Sequence, residues 1–343
     1  MVRFGILGFG LHAVRRLMPG FALAKNSRVT ALSRRDLKKA QESARQFQIP
    51  LAFDTAEQLC QASEVDAIFV TTPNSLHLRD VLLAIECGKP VLCEKPMGIN
   101  AGECRQMVEA SRQKNVLLGV AQVFRFEDST SHLLERVASG QIGRPVFVRS
   151  EFSYQGRGHV RSWITDAAVS GGGPIADVGV HCIDALRYIL QDEVVTVSAH
   201  GTSDQDSGEV EAAAVLALNF SRGTLGAVLV STRADYRTPI EITGEAGVLY
   251  ADDALTVEHP IDLQVKCGGT ITDTESVSNR SAYARQVDSF AEAVEGKKPF
   301  PVPGEEGWQN QEVLDSAYRS MKSGRTEPVP LVDKQTSTLN RQF

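Results

Sequence analysis

None of the six cysteines (Cys60, Cys87, Cys93, Cys104, Cys182, Cys267) stands in a C-x-x-C pair or at a metal-finger spacing. That argues against both a structural zinc and a disulfide framework, so no metal is expected and the thiols read as small reduced hydrophobes. Lys and Arg form no long run, and the formal net charge is -6. A phosphate backbone rewards a basic face, so no nucleic-acid partner is expected. Long apolar runs are also scarce. The opening MVRFGILGFG breaks at Gly8 and fits neither a signal peptide nor a membrane span, so the expectation is a cytoplasmic protein with no membrane partner. What is present, 42% hydrophobic and 23% charged residues in 343, is globular material long enough for two domains with cores of their own. Small-molecule chemistry is the class that remains.

Val2 to Leu7 is a short apolar run suited to a buried parallel strand, and Gly8-Phe9-Gly10-Leu11-His12-Ala13 follows at once. In this G-x-G-x-x-A turn, Gly8 permits the tight bend and Gly10 lets the backbone approach a pyrophosphate. Ala13 lets the helix sit close on the strand, with its N-terminus facing the anion. A helix from Leu11, kinked at Pro19, leads to a second strand at 28–32. Ser33 then stands about 20 residues beyond the glycines, where this fold holds the ribose. An acid there would bind a 2'-hydroxyl. Here Ser33-Arg34-Arg35 offers guanidinium forks suited to a phosphate dianion, so NADP(H) is the preferred cofactor and NAD(H) the second. Two alternatives stay open: the arginines as a solvated pair opening the next helix, and Asp36 as either that helix's N-cap or a ribose ligand.

The alternation continues with strand 65–72, helix 75–89, strand 90–96, helix 101–114 and strand 116–122. This spacing predicts a doubly wound parallel Rossmann sheet over residues 1–122, with ligands at the carboxyl ends of its strands. Thr71-Thr72-Pro73-Asn74 and Glu94-Lys95-Pro96 stand at such ends, and His77 is expected to line the cofactor side. From 123 to 343 the pattern changes. Segments 144–154, 194–200, 211–220, 223–233 and 239–244 read as strands, continued by GVLYAD, ALTVEH and DLQVK. They predict an α+β domain with a large, mainly antiparallel open sheet, with helices 174–190, 282–295 and about 305–322 on one face. Ala212, Ala214, Leu216, Leu225, Ala227 and Leu229 suggest that the other face joins subunits.

The Gly8–Ala13 turn, Thr72-Pro73-Asn74 with His77, Glu94-Lys95-Pro96, Gly172-Gly173 leading to Asp177 and His181, and Tyr283-x-x-Gln286-x-x-x-Phe290 together resemble the Gfo/Idh/MocA oxidoreductases over nearly the whole chain. SRRDLKKA and GKPVLCEKPMGINA look most like the NADP-dependent dehydrogenases of that family, whereas SGGGPIADVGVHCIDALRYIL looks closer to its anhydro-sugar reductases. VFRFED departs from the pattern by lacking a proline after the Arg-Phe pair, so Arg125 is not counted in the expected site.

The resemblance implies a homodimer or homotetramer through the large sheet, and that Lys95, Asp177 and His181 form the catalytic group. Gly171 to Gly173 and Pro174 suit a helix start, and a four-residue spacing puts Asp177 and His181 on one face. An imidazole, with its ordinary pKa near 6.5, is the natural acceptor of a hydroxyl proton when a secondary alcohol is oxidised. Asp177 would bind a substrate hydroxyl or bias the imidazole, and Lys95 would polarise the substrate oxygen and anchor the nicotinamide ribose. In the loop QGRGHVRSW, Arg161 and Trp163 are expected to grip a sugar or polyol, and Tyr283 matches a family position near the substrate. The expected activity is NADP(H)-dependent hydride transfer to or from a sugar, polyol or related small molecule. An NAD-dependent redox glycosidase and a non-catalytic nucleotide sensor are the alternatives.

Overall fold

A computed structural model describes residues 1–156 and 162–333. The chain forms two compact units, one built from Met1–Ala121 and Tyr283–Trp308, the other from Gln122–Ala282 and Gln309–Leu331.

In the first unit, β1 (Val2–Leu7), β2 (Ser27–Ser33), β3 (Leu51–Phe53), β4 (Ala67–Val70), β5 (Val91–Cys93) and β6 (Leu118–Val120) form a parallel sheet ordered β3-β2-β1-β4-β5-β6. Helices cover both sides of such a sheet, which is why β4 (AIFV) is apolar at every position and buried throughout. The order reverses between β1 and β4, and at that switch point the strand ends diverge and leave room for a ligand. The helix expected to kink at Pro19 contains a π-turn, Ala13–Leu17, directly before the α-helical Met18–Leu23. Proline has no N–H to give to the preceding turn, and the wider turn absorbs the lost bond.

The expectation that everything beyond 122 forms one domain needs correction. The helix Ala282–Val294 contributes its residues from Tyr283 onward to the first unit, and does so through packing. Phe290 is fully buried, 6.2 Å from the Phe4 ring and 5.1 Å from Phe300, while Ser27 Oγ donates to the Val287 carbonyl at 3.0 Å. Apolar periodicity reveals that a helix has a buried face but not which sheet receives it.

The second unit is built on a nine-stranded sheet of β7 (Pro145–Ser153), β8 (Val194–Thr202), β9 (Ala213–Phe220), β10 (Leu225–Ser231), β11 (Ile240–Gly244), β12 (Val248–Ala251), β13 (Ile261–Cys267), β14 (Thr270–Val277) and β15 (Glu327–Pro328). Its order is β14-β13-β12-β11-β7-β10-β9-β8-β15, and all pairs are antiparallel except β7 with β10. One expectation fails here, and one strand had no counterpart among those expected. ALTVEH is a buried turn, apolar because Ala254 and Leu255 fill the core, and its Ala254 carbonyl accepts from Ser129 and Asn279. β14 went unanticipated because an edge strand exposed along most of its length carries a polar sequence.

The strand register also sorts the residues expected on the outer face. Leu216 pairs with Val228 and Ala214 with Val230, all buried, so Ala212, Ala214 and Leu216 belong to the core. Leu225, Ala227 and Leu229 lie on the opposite face with Val215 and Phe147. A period of two fixes alternation, but a run of alanines hides which phase is inside.

Truncating Phe290 to alanine empties a fully buried aromatic site. It is expected to lower stability by about 3–5 kcal/mol in a urea titration, and a cost below about 1 kcal/mol would show that this helix is not part of the first core.

Candidate active site

Gly8 ends β1 with φ +86°, and a Cβ there would meet Thr72 Cγ2 at 2.7 Å and its backbone N at 2.8 Å. Both the left-handed conformation and the close approach therefore require glycine. The Thr71 hydroxyl donates to the Gly8 carbonyl at 2.9 Å, tying the turn to the end of β4. A Cβ on Gly10 would have only the Gly8 carbonyl oxygen near it, at 3.7 Å, so the space above this residue is open. Ala13 is fully buried, as close helix packing demands. Phe9 is buried against Phe47, with ring centroids 5.5 Å apart, and is thus a packing residue of the turn. Leu11 is half-buried.

Ser33 is buried, and its carbonyl accepts from the Phe9 N–H at 2.9 Å. Arg34 is half-buried and Arg35 exposed, and among the described residues neither forms an ion pair. The Asp36 side chain caps the helix Leu37–Phe47, accepting from the Lys39 N–H at 3.1 Å. These features fit a dinucleotide: a glycine cradle open at Gly10, a helix start and two cations beside the end of β2.

The ends of β4 and β5 are locked together. His77 is fully buried, with Nε2 2.9 Å from the Thr72 carbonyl and Nδ1 3.0 Å from the Pro96 carbonyl. Burial pulls its pKa down, opposed by the two carbonyls, which only an imidazolium can serve as donor simultaneously. The expectation that His77 lines the cofactor side is corrected: with no exposed surface it clamps Thr72-Pro73 to Lys95-Pro96. Asn74 is also buried, and Pro73 is half-buried. Glu94 accepts from His12 Nε2 at 2.9 Å and from the Lys95 N–H at 3.2 Å. Burial would raise this carboxyl, but His12 and Lys95 outweigh it and hold it below the usual range. Lys95 is half-buried at the same strand end.

In the second unit, glycines open the way to the helix of Asp177 and His181 for a steric reason. Gly172 has φ +149°, and a Cβ on it would lie 1.8 Å from the Tyr318 hydroxyl, while one on Gly173 would lie 2.3 Å from the Glu211 carbonyl. Glu211 caps the helix start: its two oxygens accept from the N–H groups of Gly173 at 3.1 Å and Ile175 at 2.8 Å, and Tyr318 donates at 3.1 Å. Burial pushes this carboxyl up, against the pull of those donors.

The helix opens as a π-turn, Ile175–Gly179, and continues as the α-helical Val180–Leu190. Asp177 is 9% exposed and accepts from the Tyr154 hydroxyl at 2.8 Å. His181 is 7% exposed, its ring 4.4 Å from Phe124 and 6.1 Å from Phe152. Phe152 and Tyr154, two positions apart at the end of β7, therefore face Asp177 and His181 together. Burial pushes the neighbouring Cys182 thiol up to about 12, so it stays protonated at neutral pH and is no nucleophile.

Tyr154 and Glu211 went unrecognised in the sequence. A tyrosine ending a strand and an acid at the head of another carry no spacing that links them to residues 177 or 175. Arg125 is spent on structure, its fork gripping the buried Asp184 at 2.6–3.1 Å. Trp163 is half-buried in the turn Ser162–Thr165, and Arg161 lies outside the described residues. Tyr283, expected at the substrate, packs in the first unit beside the nucleotide turn, with its ring 6.2 Å from His12 and its Cβ filling the place a side chain on Gly20 would need. Among the described residues, no three His, Cys, Asp or Glu side chains group to hold a metal ion, and no helix is long and apolar enough to cross a membrane.

Residues 2–122 match the family described as an oxidoreductase family with an NAD-binding Rossmann fold, and residues 130–250 match the GFO/IDH/MocA C-terminal domain. The chain belongs to the Gfo/Idh/MocA oxidoreductase family. It is 32% identical to trans-1,2-dihydrobenzene-1,2-diol dehydrogenase of Mus musculus, over 72% of this chain and 73% of that one. With the D-xylose 1-dehydrogenase (NADP(+)) 2 of Haloferax volcanii it shares 29% identity over 94% of this chain and 98% of the other. Among solved structures, the aldose-aldose oxidoreductase from Caulobacter crescentus complexed with glycerol superposes with a TM-score of 0.89 at 26% identity, covering 95% of this chain and 99% of that chain. The protein is thus an oxidoreductase of this family.

Replacing Gly172 with alanine forces a Cβ into the Tyr318 hydroxyl. We expect destabilisation of about 3 kcal/mol or more by chemical denaturation, and a loss below about 0.5 kcal/mol would mean that the glycine has no steric role.

Proposed function

We propose that the protein is an NADP(H)-dependent oxidoreductase acting between a secondary alcohol and the corresponding carbonyl of a sugar, polyol or related small molecule. The observation that carries this reading is the buried helix bearing His181 packed beside two phenyl rings and Asp177 bonded to Tyr154. An imidazole so enclosed suits transfer of a hydroxyl proton, and a carboxylate oriented by a phenol suits binding of a polyol hydroxyl. The names of the relatives point the same way, since they act on D-xylose, on an aldose and on a dihydrodiol.

NADP, when bound, accepts or returns the hydride. The residues proposed to hold it are the turn Gly8 to Ala13, the strand end Thr71 to Asn74, and Glu94 with Lys95. His181 takes or returns the substrate proton, Asp177 binds a hydroxyl, and Lys95 polarises the substrate oxygen. Trp163 and Arg161 remain proposed sugar contacts. NADP is favoured over NAD because Arg34 and Arg35 lack carboxylate partners among the described residues, while the nearest acid, Asp36, is engaged as a helix cap.

Purified protein with NADP or NAD and a panel of aldoses, polyols and keto-sugars is expected to change the near-UV absorbance of reduced nicotinamide. Lys95→Ala and His181→Ala should each reduce turnover by at least about 100-fold, with nucleotide binding unchanged in His181→Ala and weakened but retained in Lys95→Ala. Full turnover in both variants would overturn the catalytic assignment, and silence of the unsubstituted protein across the panel would favour the glycosidase reading. Replacing both Arg34 and Arg35 with alanine should weaken NADPH by roughly 10- to 100-fold and NADH little. Equal weakening of the two would remove the arginines from cofactor selection.

The outer face of the large sheet is proposed to meet a second copy of the chain. Phe147, Val215 and Leu225 are each about half exposed there, at 54%, 50% and 48%, on neighbouring strands. A contiguous apolar patch on a regular sheet suits a self-complementary two-fold contact. Light scattering should report a dimer or tetramer that Phe147→Glu with Val215→Glu shifts toward the monomer. A monomeric parent protein would refute this.

A further inference from the structure

The buried side of the helix Leu37–Phe47 carries one residue that its packing does not call for. Ala40, Ser43 and Ala44 are its buried positions, and a mid-helix serine is a weaker helix former than the alanines beside it. The Ser43 hydroxyl, 6% exposed as a residue, accepts from Arg34 Nη1 at 2.8 Å. The Arg34 backbone is fixed as well, its N–H donating to the Phe53 carbonyl at 3.1 Å. One arm of the guanidinium is therefore anchored to the helix, while its remaining N–H groups form no ion pair among the described residues.

We infer that Ser43 is a positioning residue for cofactor selection: it seats one arm of Arg34 so that the rest of the fork is presented to the cofactor's 2'-phosphate. This rests on the reading above that Arg34 meets that phosphate. A guanidinium already held in place loses less rotamer freedom when it binds an anion, so the gain appears only with the ligand that carries the anion.

The test is a fluorescence titration of the full-length protein with NADPH and with NADH, which needs no substrate. Ser43→Ala, which helix propensity favours, should raise the Kd for NADPH by about three- to tenfold and leave that for NADH unchanged. Ser43→Thr, which keeps the hydroxyl, should restore most of the loss. Added to Arg34→Ala, Ser43→Ala should cost nothing further, because the residue acts only through the arginine. If Arg34→Ala selectively weakens NADPH but Ser43→Ala does nothing, or weakens both nucleotides alike, the role of Ser43 is refuted and the reading of Arg34 stands. Should Arg34→Ala leave NADPH and NADH equally bound as before, the underlying reading fails and Ser43 falls with it.

Discussion

A buried carboxylate sets the start of the helix that carries Asp177 and His181. Glu211 offers its two oxygens to the N–H groups of Gly173 and Ile175, donors that a helix start would otherwise leave unserved. Its backbone and the Tyr318 phenol come so close to residues 172 and 173 that no side chain fits there. Glycine is thus dictated by what the helix start leans against, and flexibility is not needed to explain it. Negative charge at a helix N-terminus is favourable in itself. With the first turn fixed, Asp177 falls under the Tyr154 hydroxyl and His181 beside Phe124 and Phe152.

The first unit solves a related problem with a different device. The segments that follow β1, β4 and β5 run past the strand pairing, where backbone bonds such as Phe9 N–H to the Ser33 carbonyl are few and further bonds are needed. Side chains supply them: Thr71 bonds the Gly8 carbonyl, and the two nitrogens of His77 bridge Thr72 and Pro96. Glu94 joins His12 of the glycine turn to the Lys95 backbone. These bonds tie the three loops to one another, and the fully buried His77 holds the Pro96 backbone beside Lys95 with no exposed surface of its own.

Much of this was legible in the residues, for identifiable reasons. The Rossmann sheet shows because its strands are short, largely apolar and alternate with helices, and the glycine turn shows because its sterics admit few alternatives. The second sheet was legible as a set of strands. Its phase was not, since alanine on both faces of β9 weakens the contrast that alternation needs. The helix Ala282–Val294 has a plain apolar stripe, yet only Phe290 meeting Phe4 and Phe300 shows which core it serves. Asp177 and His181 stood out through their spacing and the glycines before them. Tyr154 and Glu211 act from 23 and 36 residues away and left no local signature.

In the segment following β2, the local roles of the charged residues bear on the proposed choice of nucleotide. A carboxylate lies within three residues of Ser33, as in an NAD-type site, but Asp36 turns its oxygen to the Lys39 N–H and so serves its own helix. Its charge then favours the helix N-terminus. The same cap sets the rotation of the helix Leu37–Phe47, which brings Ser43 round to Arg34 two turns later. On the proposed reading, the residue that would have excluded a 2'-phosphate thus helps to orient the one that receives it. Selection between the two nucleotides then depends less on how many cations are present than on whether one of them is held still.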